Sequence, residues 1–315
     1  MIEAHDVFFV PEQFPTIQSA VDAAERPTTI MAAPGYYDES VIVTDKEYVV
    51  IQSARLTRRG VTLTGGPGPG IFVVERSTLY LSGIEVRSDG RMRGIWASDS
   101  KLSLQDCVVA GNRISLHGGA TSADASPAPG APSYGNTFGA GMFCRRSSVR
   151  IQKSAVIGNT IGSNIDVDCG ESSSDLHRGP AAEPDQPDAS PSEARGGGLY
   201  FEDCKVEIAG CVIQANAVYC KGSARGGGIW CEGSRMRMWR SRVTDNALRA
   251  CICEGAGIYF KDPLACELGG SVITGNGSVE GKGGGVFVEG DFSTVAIHRN
   301  TAVRQNHPDD VYPRR

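Results

Sequence analysis

Four asparagines in the second half of the chain, Asn216, Asn246, Asn276 and Asn306, recur at intervals of 30 residues. Each of them follows a glycine triplet or a close variant of one. These triplets are Gly196–Gly198, Gly226–Gly228, Gly255–Gly257 and Gly283–Gly285. Self-similarity with a fixed period of this length is typical of solenoids, in which each repeat packs only against its neighbours.

The distance from the last glycine of a triplet to the next asparagine is the most constant part of the repeat. It is 18 residues in four coils, and 19 and 21 residues in the last two. The four equal intervals are Gly94 to Asn112, Gly141 to Asn159, Gly198 to Asn216 and Gly228 to Asn246. From each asparagine to the last glycine of the next triplet, the chain instead runs 29, 39, 12, 11 and 9 residues. All insertions therefore leave the repeat at one corner.

Two of these variable stretches, residues 118–135 and 170–195, are rich in Ala, Ser, Pro and Gly. Segments of this composition bury too little apolar surface to offset the entropy of ordering them. We therefore expect flexible loop insertions there, leaving from the same turn on adjacent coils.

Short alternating segments, such as KVEI before CVIQAN and RMRM before SRVTDN, lie inside the constant interval. Successive side chains of a strand point to opposite faces, so alternation predicts which residues face the core. The expected inward pairs are Val149 and Ile151, Val206 and Ile208, and Met236 and Met238. Stacked coils then place the asparagines in a ladder of side chains that hydrogen-bond from coil to coil.

The pattern predicts an all-β fold, a single-stranded right-handed parallel β-helix with a short N-terminal capping helix. Residues 1–315 form one domain in this prediction. Residues 1–30 are the N-terminal cap, in which the spacing of Ile17, Ala20, Val21 and Ala24 predicts the helix. Residues 300–315 are the C-terminal cap. The 40 glycines fit a fold that has many tight turns.

Charge, apolar stretches and cysteine spacing exclude several classes of partner and site. A net charge of −5 with scattered Lys and Arg provides no footprint for a phosphate backbone, so we expect no nucleic acid partner. No apolar stretch is long enough to predict membrane insertion. The start MIEAHDVFFV predicts a soluble, cytoplasmic chain, or an extracellular one if a signal peptide was removed. The ten cysteines lack a CxxC pair, so we expect buried free thiols and no metal site.

The segment PTIQSAVDAA followed by APGYYDE resembles the opening of the pectate-lyase-like and pectin-methylesterase-like β-helix superfamily. The glycine triplets followed by an apolar and an aromatic residue, and the closing QNHPDDVY, are similar to right-handed β-helix repeat proteins. Some of these are described as carbohydrate-binding or sugar-hydrolase domains. The resemblance covers almost the whole chain and implies the fold. The superfamily includes lyases, esterases, hydrolases and epimerases, so it implies no single activity.

The catalytic motifs of these relatives are mostly missing. The chain has no polygalacturonase-like series of NTD, DD, GHG and RIK, no pectin-methylesterase-like set of Gln, Asp and Arg, and no epimerase-like Asp-Tyr-Gly. No catalytic residue is therefore transferred from the superfamily to this chain.

A row of aromatic residues follows the glycine triplets, and we interpret it as the ligand-binding face. Its members are Trp96, Phe143, Tyr200, Trp230, Tyr259 and Phe287. Alternation places these side chains outward, on the face that also carries Glu202 and Glu232. Because neighbouring coils lie about 4.8 Å apart, an exposed row would form a continuous stacking platform for the rings of a polysaccharide. A row covered by other segments, or a protein-binding face, is the alternative.

Glu202 and Glu232 are the candidate catalytic residues, together with Arg195 and Arg225. Carboxylates on adjacent coils lie near the separation of about 5 Å that a retaining glycosidase needs between its acid and its nucleophile. Any two stacked carboxylates in a β-helix share this separation. The arginines could equally neutralise them in a surface ion-pair ladder.

Other polar clusters give weaker signals. Asp166, Asp168 and Glu171 could hold a Ca²⁺ ion, although solvated turn residues explain them as well. His117 and His177 fall in the two long insertions and could meet there. We predict no other cofactor. The sequence thus leaves three functions open: a module that binds a polysaccharide, a polysaccharide lyase or glycoside hydrolase, and a protein-interaction scaffold.

Overall fold

The computed structural model describes residues 5–54, 60–66, 68, 70–88, 92–115, 138–162, 193–278 and 281–312. Its strands pair in parallel in five sheets that run along one axis. We number these sheets 1 to 5 in the order in which the chain passes through them within one coil. The predicted fold class, an all-β single-stranded right-handed parallel β-helix with a short N-terminal capping helix, is confirmed.

Three long sheets form the walls of the rod. Sheet 1 consists of Asp6–Val10, Thr28–Ala32, Val49–Ser53, Thr78–Ser82, Lys101–Gln105, Ser148–Gln152, Lys205–Ala209, Arg235–Trp239, Ala265–Gly269 and Val295–Ile297. Sheet 2 consists of Gly35–Tyr37, Val61–Leu63, Ile84–Val86, Val108–Ala110, Ala155–Ile157, Val212–Gln214, Arg242–Thr244, Val272–Thr274 and Ala302–Arg304. Sheet 5 consists of Val41–Thr44, Gly70–Glu75, Arg93–Ser98, Met142–Arg145, Leu199–Glu202, Ile229–Glu232, Ile258–Lys261, Val286–Glu289 and Val311–Tyr312.

Two short sheets form a side arm between sheets 2 and 5. Sheet 3 consists of Arg113–Ile114, Thr160–Ile161, Ala217–Tyr219, Ala247–Arg249 and Gly277–Ser278. Sheet 4 consists of Glu193–Arg195, Ser223–Arg225 and Ile252–Glu254. The remaining elements are the α-helix Ile17–Ala23 and the 3₁₀ turn Phe292–Thr294.

The core lies between sheets 1, 2 and 5. Every second side chain along each strand is apolar and points into it. The predicted inward pairs are buried, with exposed fractions of 0 to 2% for Val149, Ile151, Val206, Ile208 and the two methionines. Their register stacks Val149 on Val206 and Val206 on Met236. Like side chains therefore meet like side chains in neighbouring coils, as predicted.

The asparagine ladder is confirmed at the turn after sheet 2. The side chain of Asn216 donates to Oδ1 of Asn246 at 2.9 Å and to the carbonyl of Val156 at 3.0 Å. Its own Oδ1 accepts from the backbone N–H and the side-chain amide of Asn159. The same pattern runs from Asn112 to Asn306. Each amide thus satisfies backbone groups that the turn would otherwise leave buried without a partner.

The constant interval between glycine and asparagine has a steric cause. A Cβ atom added at Gly198 would lie 2.9 Å from Cγ of Asn216 and 2.6 Å from the carbonyl oxygen of Gly228. Equivalent positions in the other regular coils are equally close, at 2.7 to 3.0 Å from the asparagine. The last glycine of each triplet therefore packs directly on the ladder, where no side chain fits.

The side arm has a small core of its own. It is formed by small and apolar side chains such as Val218, Ala224, Leu248 and Cys253. The chain leaves the rod after the asparagine, runs out along sheet 3 and returns along sheet 4 to the glycine triplet. The predicted flexible insertion at 170–195 is wrong at its end, because Glu193–Arg195 pairs with Ser223–Arg225 as a strand. Residues 118–135 and 170–192 lie outside the described residues.

Serine and cysteine side chains form two further ladders at the turns that flank sheet 1. The backbone N–H of Cys204 donates to Oγ of Ser234 at 2.8 Å, and that of Cys211 donates to Oγ of Ser241 at 3.1 Å. Among the described cysteines, eight are buried free thiols, as predicted, and Cys251 is exposed. Burial raises the pKa of Cys107 to about 11 and that of Cys204 to about 12.

The N-terminal helix forms where its apolar spacing predicts it. Thr16 and Ser19 make a reciprocal capping box, and Ile17, Ala20 and Val21 are buried against the first coils. The predicted cap at residues 1–30 is more than a helix, since Asp6–Val10 pairs with Thr28–Ala32 as the first strand of sheet 1. The sequence DVFFV has four consecutive apolar residues and does not alternate, so the period of two residues did not indicate this strand.

Side chains close the N-terminal end of sheet 5. The amide of Gln18 donates to the carbonyl of Ile42 at 3.2 Å and accepts from its N–H at 2.6 Å, as a further strand would. Glu39 accepts from the N–H groups of Ile17 and Gln18 at the start of the helix. Lys46 donates to the carbonyl of Ala24 at its end. These contacts satisfy an exposed strand edge and both helix termini.

The predicted C-terminal cap, 300–315, contains the last strands of sheets 2 and 5 within its described part, residues 300–312. Asn306 ends the asparagine ladder there. Its side chain donates to Asp310, which takes the place of a next asparagine.

Replacing Asn216 by alanine should lower the free energy of unfolding by about 3–5 kcal/mol, because it orphans several buried polar groups at about 1–3 kcal/mol each. The change is measured by urea denaturation followed by circular dichroism. Gln214→Ala, on the same coil, removes only a bond to exposed Asp245 and should change stability by less than about 0.5 kcal/mol. Equal losses in the two variants would contradict a structural role for the ladder.

In the folded protein at mildly alkaline pH, iodoacetamide should alkylate Cys251 and leave Cys107 and Cys204 unmodified. The exposed thiol is accessible, whereas burial both shields the other two and raises their pKa values. Peptide mapping by mass spectrometry locates the adducts, with a urea-unfolded sample as the control. Rapid modification of Cys204 without denaturant would show that this turn opens.

Candidate functional site

The aromatic row lies on the outer side of sheet 5, but its side chains are buried. The exposed fractions are 9% for Trp96, 7% for Phe287, and 1 to 2% for Phe143, Tyr200, Trp230 and Tyr259. Together they form an apolar cluster separate from the main core. The expectation that this row is an exposed platform is therefore wrong.

Stacking along the rod explains why the row offers no platform. Neighbouring rings are nearly parallel, with interplanar angles of 6 to 13° and centroids 4.4 to 6.4 Å apart from Trp96 to Phe287. Each ring thus uses its faces on the rings of adjacent coils and turns its edge away from the rod. A sugar that stacks on an aromatic residue needs a free face. Whether the row contributes to ligand binding stays a prediction.

Cations from the segment before each glycine triplet cover the row. The guanidinium carbon of Arg93 lies 5.3 Å from the centroid of Phe143, and that of Arg195 lies 4.7 Å from Trp230. Arg195 stands at the end of its sheet 4 strand, so the side arm places it above sheet 5. Contacts of this kind stabilise both the ring and the desolvated cation.

Arg93 is the most buried of these cations, with 8% of its surface exposed. It donates to the carbonyls of Phe138 at 2.7 Å and Gly139 at 3.0 Å, and burial lowers its pKa to about 10. Burial also raises the pKa of the phenol of Tyr200 above its usual range. These groups belong to the wall of the fold and share its low-dielectric surroundings.

Glu202 and Glu232 are register partners on adjacent coils, as predicted. Each carboxylate is already engaged. Glu202 lies 3.2 Å from Nε of Arg145 and 3.4 Å from the hydroxyl of Tyr200. Glu232 accepts from Nζ of Lys261 at 2.8 Å and from the indole N–H of Trp230 at 3.3 Å. The arrangement is that of a partly buried ion-pair ladder.

Arg195 and Arg225 join the same network. Arg195 donates to Glu193 at 2.6 Å and lies 3.7 Å from Glu232. Arg225 binds Glu254 at 2.8 Å and also contacts Glu193. The structure therefore brings Arg195 to Glu232 and directs Arg225 chiefly to carboxylates of the arm. The catalytic assignment of these four residues stays a prediction.

A second surface, on the outer face of sheet 1, contains a depression of about 190 Å³. Its outward-pointing lining consists of Tyr80, Lys101, Ser103, Ser148, Arg150, Lys205 and Glu207. The side chain of Tyr80 is 38% exposed. The alternation that predicts Leu79 and Leu81 inward also predicts Tyr80 outward, but Tyr80 does not follow a glycine triplet and is therefore not part of the predicted aromatic row.

Two columns of charge run along this face. In one, Arg150 pairs with Glu207 at 2.8 Å and Arg237 lies 3.7 Å from Glu267. The other column contains Lys101, Lys205 and Arg235, which register places at equivalent positions of their strands. Within the part of the chain that the structure describes, none of these three cations has a carboxylate partner.

The predicted Ca²⁺ ligands and the two histidines are not part of either surface described above. Asp166, Asp168, Glu171, His117 and His177 all lie outside the described residues. Among the residues that are described, no group of three or more His, Cys, Asp or Glu side chains is arranged to hold a metal ion. None of the described helices is long and apolar enough to cross a membrane.

Trp230→Ala should lower the free energy of unfolding by about 3–5 kcal/mol, the usual cost of deleting a large buried ring. Trp239→Ala is the matched control, since this tryptophan is 36% exposed and its loss should cost less than about 1.5 kcal/mol. Urea denaturation monitored by circular dichroism measures both. An unchanged free energy of unfolding in the Trp230 variant would contradict its burial and support an accessible aromatic row.

No protein-family model matches the chain, and no curated protein matches it significantly. Among solved structures it is similar to an alginate lyase from Paenibacillus sp. str. FPU-7, with 11% identity, 97% of this chain and 99% of that one covered, and a TM-score of 0.33. It is also similar to ORF18 of Geobacillus virus E2, with 10% identity, 91% of this chain covered and a TM-score of 0.35; the chain spans 55% of that protein. The Dettilon tailspike protein follows, with 11% identity, coverages of 95% and 67%, and a TM-score of 0.34. At these scores the likeness carries no argument about activity or substrate.

Proposed function

We propose that this chain is a β-helix module that binds an extended, negatively charged polysaccharide along the outer face of sheet 1. The observation that carries the proposal is the depression that combines the exposed ring of Tyr80 with the amines of Lys101 and Lys205, which have no carboxylate partner among the described residues. Concave sites with an aromatic ring and a few convergent polar groups are typical ligand sites.

The register of sheet 1 gives the site its length. Tyr80, Ser103, Arg150 and Glu207 occupy the same position on four successive coils. With coils about 4.8 Å apart, this column extends about 14 Å along the rod. A linear polymer aligned with the axis would meet one outward side chain of this column at every coil.

The charge of this face favours an anionic ligand. From Thr78–Ser82 to Ala265–Gly269, the outward positions of sheet 1 carry five cations and two carboxylates. The whole chain has a net charge of −5, so this surface is positive against a negative background. Local fields of this kind attract and orient charged ligands, and added salt weakens them.

Replacing Lys101 and Lys205 together by glutamine should weaken binding of polygalacturonate by about tenfold or more, which corresponds to about 1.4 kcal/mol. Isothermal titration measures the affinity, with neutral amylose as the ligand control. The protein control is the double variant Arg113→Gln with Arg304→Gln, which removes two exposed charges from other surfaces and should bind normally. Raising the salt concentration should weaken binding to the unmodified protein.

Equal affinity of both double variants, or equal binding of amylose and polygalacturonate, would contradict the proposal. Release of new sugar ends that is lost in Glu232→Gln would instead identify a carbohydrate-active enzyme that uses Glu202 and Glu232. Absence of any glycan binding would leave a protein partner as the remaining function.

A further inference from the structure

Trp239 ends a strand of sheet 1, and its side chain leans over the next coil. Its register partner there is Gly269. A Cβ atom built on Gly269 would lie 1.8 Å from Cζ3 and 2.0 Å from Cε3 of the indole. The six-membered ring therefore occupies the space that a side chain of the next coil would fill, and it lies against the backbone of the strand.

This orientation is opposite to that of the rings on sheet 5. Trp230 stacks on Tyr259, with centroids 4.4 Å apart, and is 1% exposed. Trp239 meets a glycine, covers it, and keeps 36% of its surface exposed. An indole that lies on the sheet and keeps about a third of its surface exposed is suited to contact the apolar face of a pyranose ring.

Polar groups lie on two sides of the exposed indole. The ring of His298 lies 5.0 Å away, centroid to centroid, at an angle of 43°. The ion pair of Arg237 and Glu267 occupies the adjacent column, with 64% and 36% of the two side chains exposed. Hydroxyl groups at the rim of a stacked sugar would find donors and acceptors on two sides.

Tyr80 occupies the third position of its strand, and Trp239 occupies the fifth position of its own, one outward column further along. Tyr80 and Trp239 belong to strands that are four coils apart in sheet 1, so about 19 Å separates their coils. Lys101, Lys205 and Arg235 begin three of the four strands that follow the strand of Tyr80, up to and including that of Trp239. We infer that Trp239, seated on Gly269, is a second sugar-stacking subsite, and that the ligand face extends over the five coils from Tyr80 to Trp239.

This inference rests on the proposed polysaccharide binding and adds a length requirement to it. An oligosaccharide that fills only the depression gains nothing from Trp239, whereas one that spans both ends gains the stacking contact as well. The alternative is a structural role. Glycine weakens a strand, and an aromatic ring that covers it can offset this. The two roles differ in whether the effect of the tryptophan depends on ligand length.

The test titrates galacturonate oligomers of increasing length, from the dimer to the octamer, into the unmodified protein, Trp239→Ala and Trp239→Phe. The affinity of the unmodified protein should rise once the oligomer spans about 19 Å. Trp239→Ala should abolish that rise, with a loss of about tenfold for long oligomers and none for short ones. Trp239→Phe should restore most of it.

Tryptophan fluorescence gives an independent signal. Trp96 and Trp230 are 9% and 1% exposed, so iodide quenching reports mainly on Trp239. Long oligomers should protect the emission from iodide, and short ones should not. Gly269→Ala, which displaces the ring without removing it, should behave like Trp239→Ala in the titration.

The outcomes separate the two proposals. If no oligomer binds the unmodified protein, polysaccharide binding itself fails. If oligomers bind, but Trp239→Ala leaves their affinities unchanged or lowers them equally at all lengths together with the melting temperature, then the second subsite is overturned and the indole only covers Gly269.

Discussion

The hydrogen-bonded asparagine ladder, packed against one glycine in each coil, is the constraint on which the rest of the structure depends. Asn216 ties its own turn to the turns above and below, and Gly198 touches it directly. This contact fixes the register of each coil against the next. In a parallel stack with fixed register, every side chain lies over its counterpart, so columns of side chains form throughout the rod.

Among the described residues, some of these columns are paired within the fold, and one is not. The row from Trp96 to Phe287 and the pair Glu202 and Glu232 follow from the register, and both are engaged within the fold by stacking and ion pairs. Lys101, Lys205 and Arg235 also form a column, but one without carboxylate partners among the described residues. Solvent-facing cations of this kind gain no ion-pair stabilisation from the described residues, so their charge is open to a partner from outside the fold.

The sequence was sufficient to predict the coils, the inward residues and the ladder, because these depend on periods of two residues and of about 30. It was insufficient for the environment of Tyr200 and Trp230. Alternation tells which side of a strand a residue occupies, but not whether another layer covers that side. Here Arg195 covers Trp230 from a strand of only three residues, too short to leave a periodic pattern. Trp239 was missed for the opposite reason, since its exposure depends on the glycine one coil away.

The side arm has a consequence for how the rod tolerates change. Coil height is determined between glycine and asparagine, so the chain from asparagine to glycine is free to vary from 9 to 39 residues without altering the pitch. For a flexible segment, that difference in length costs only about 1.3 kcal/mol of closure entropy. New segments, including foreign peptides, can therefore be grafted at the tip of the arm on successive coils and displayed in a line at the spacing of the β-sheet.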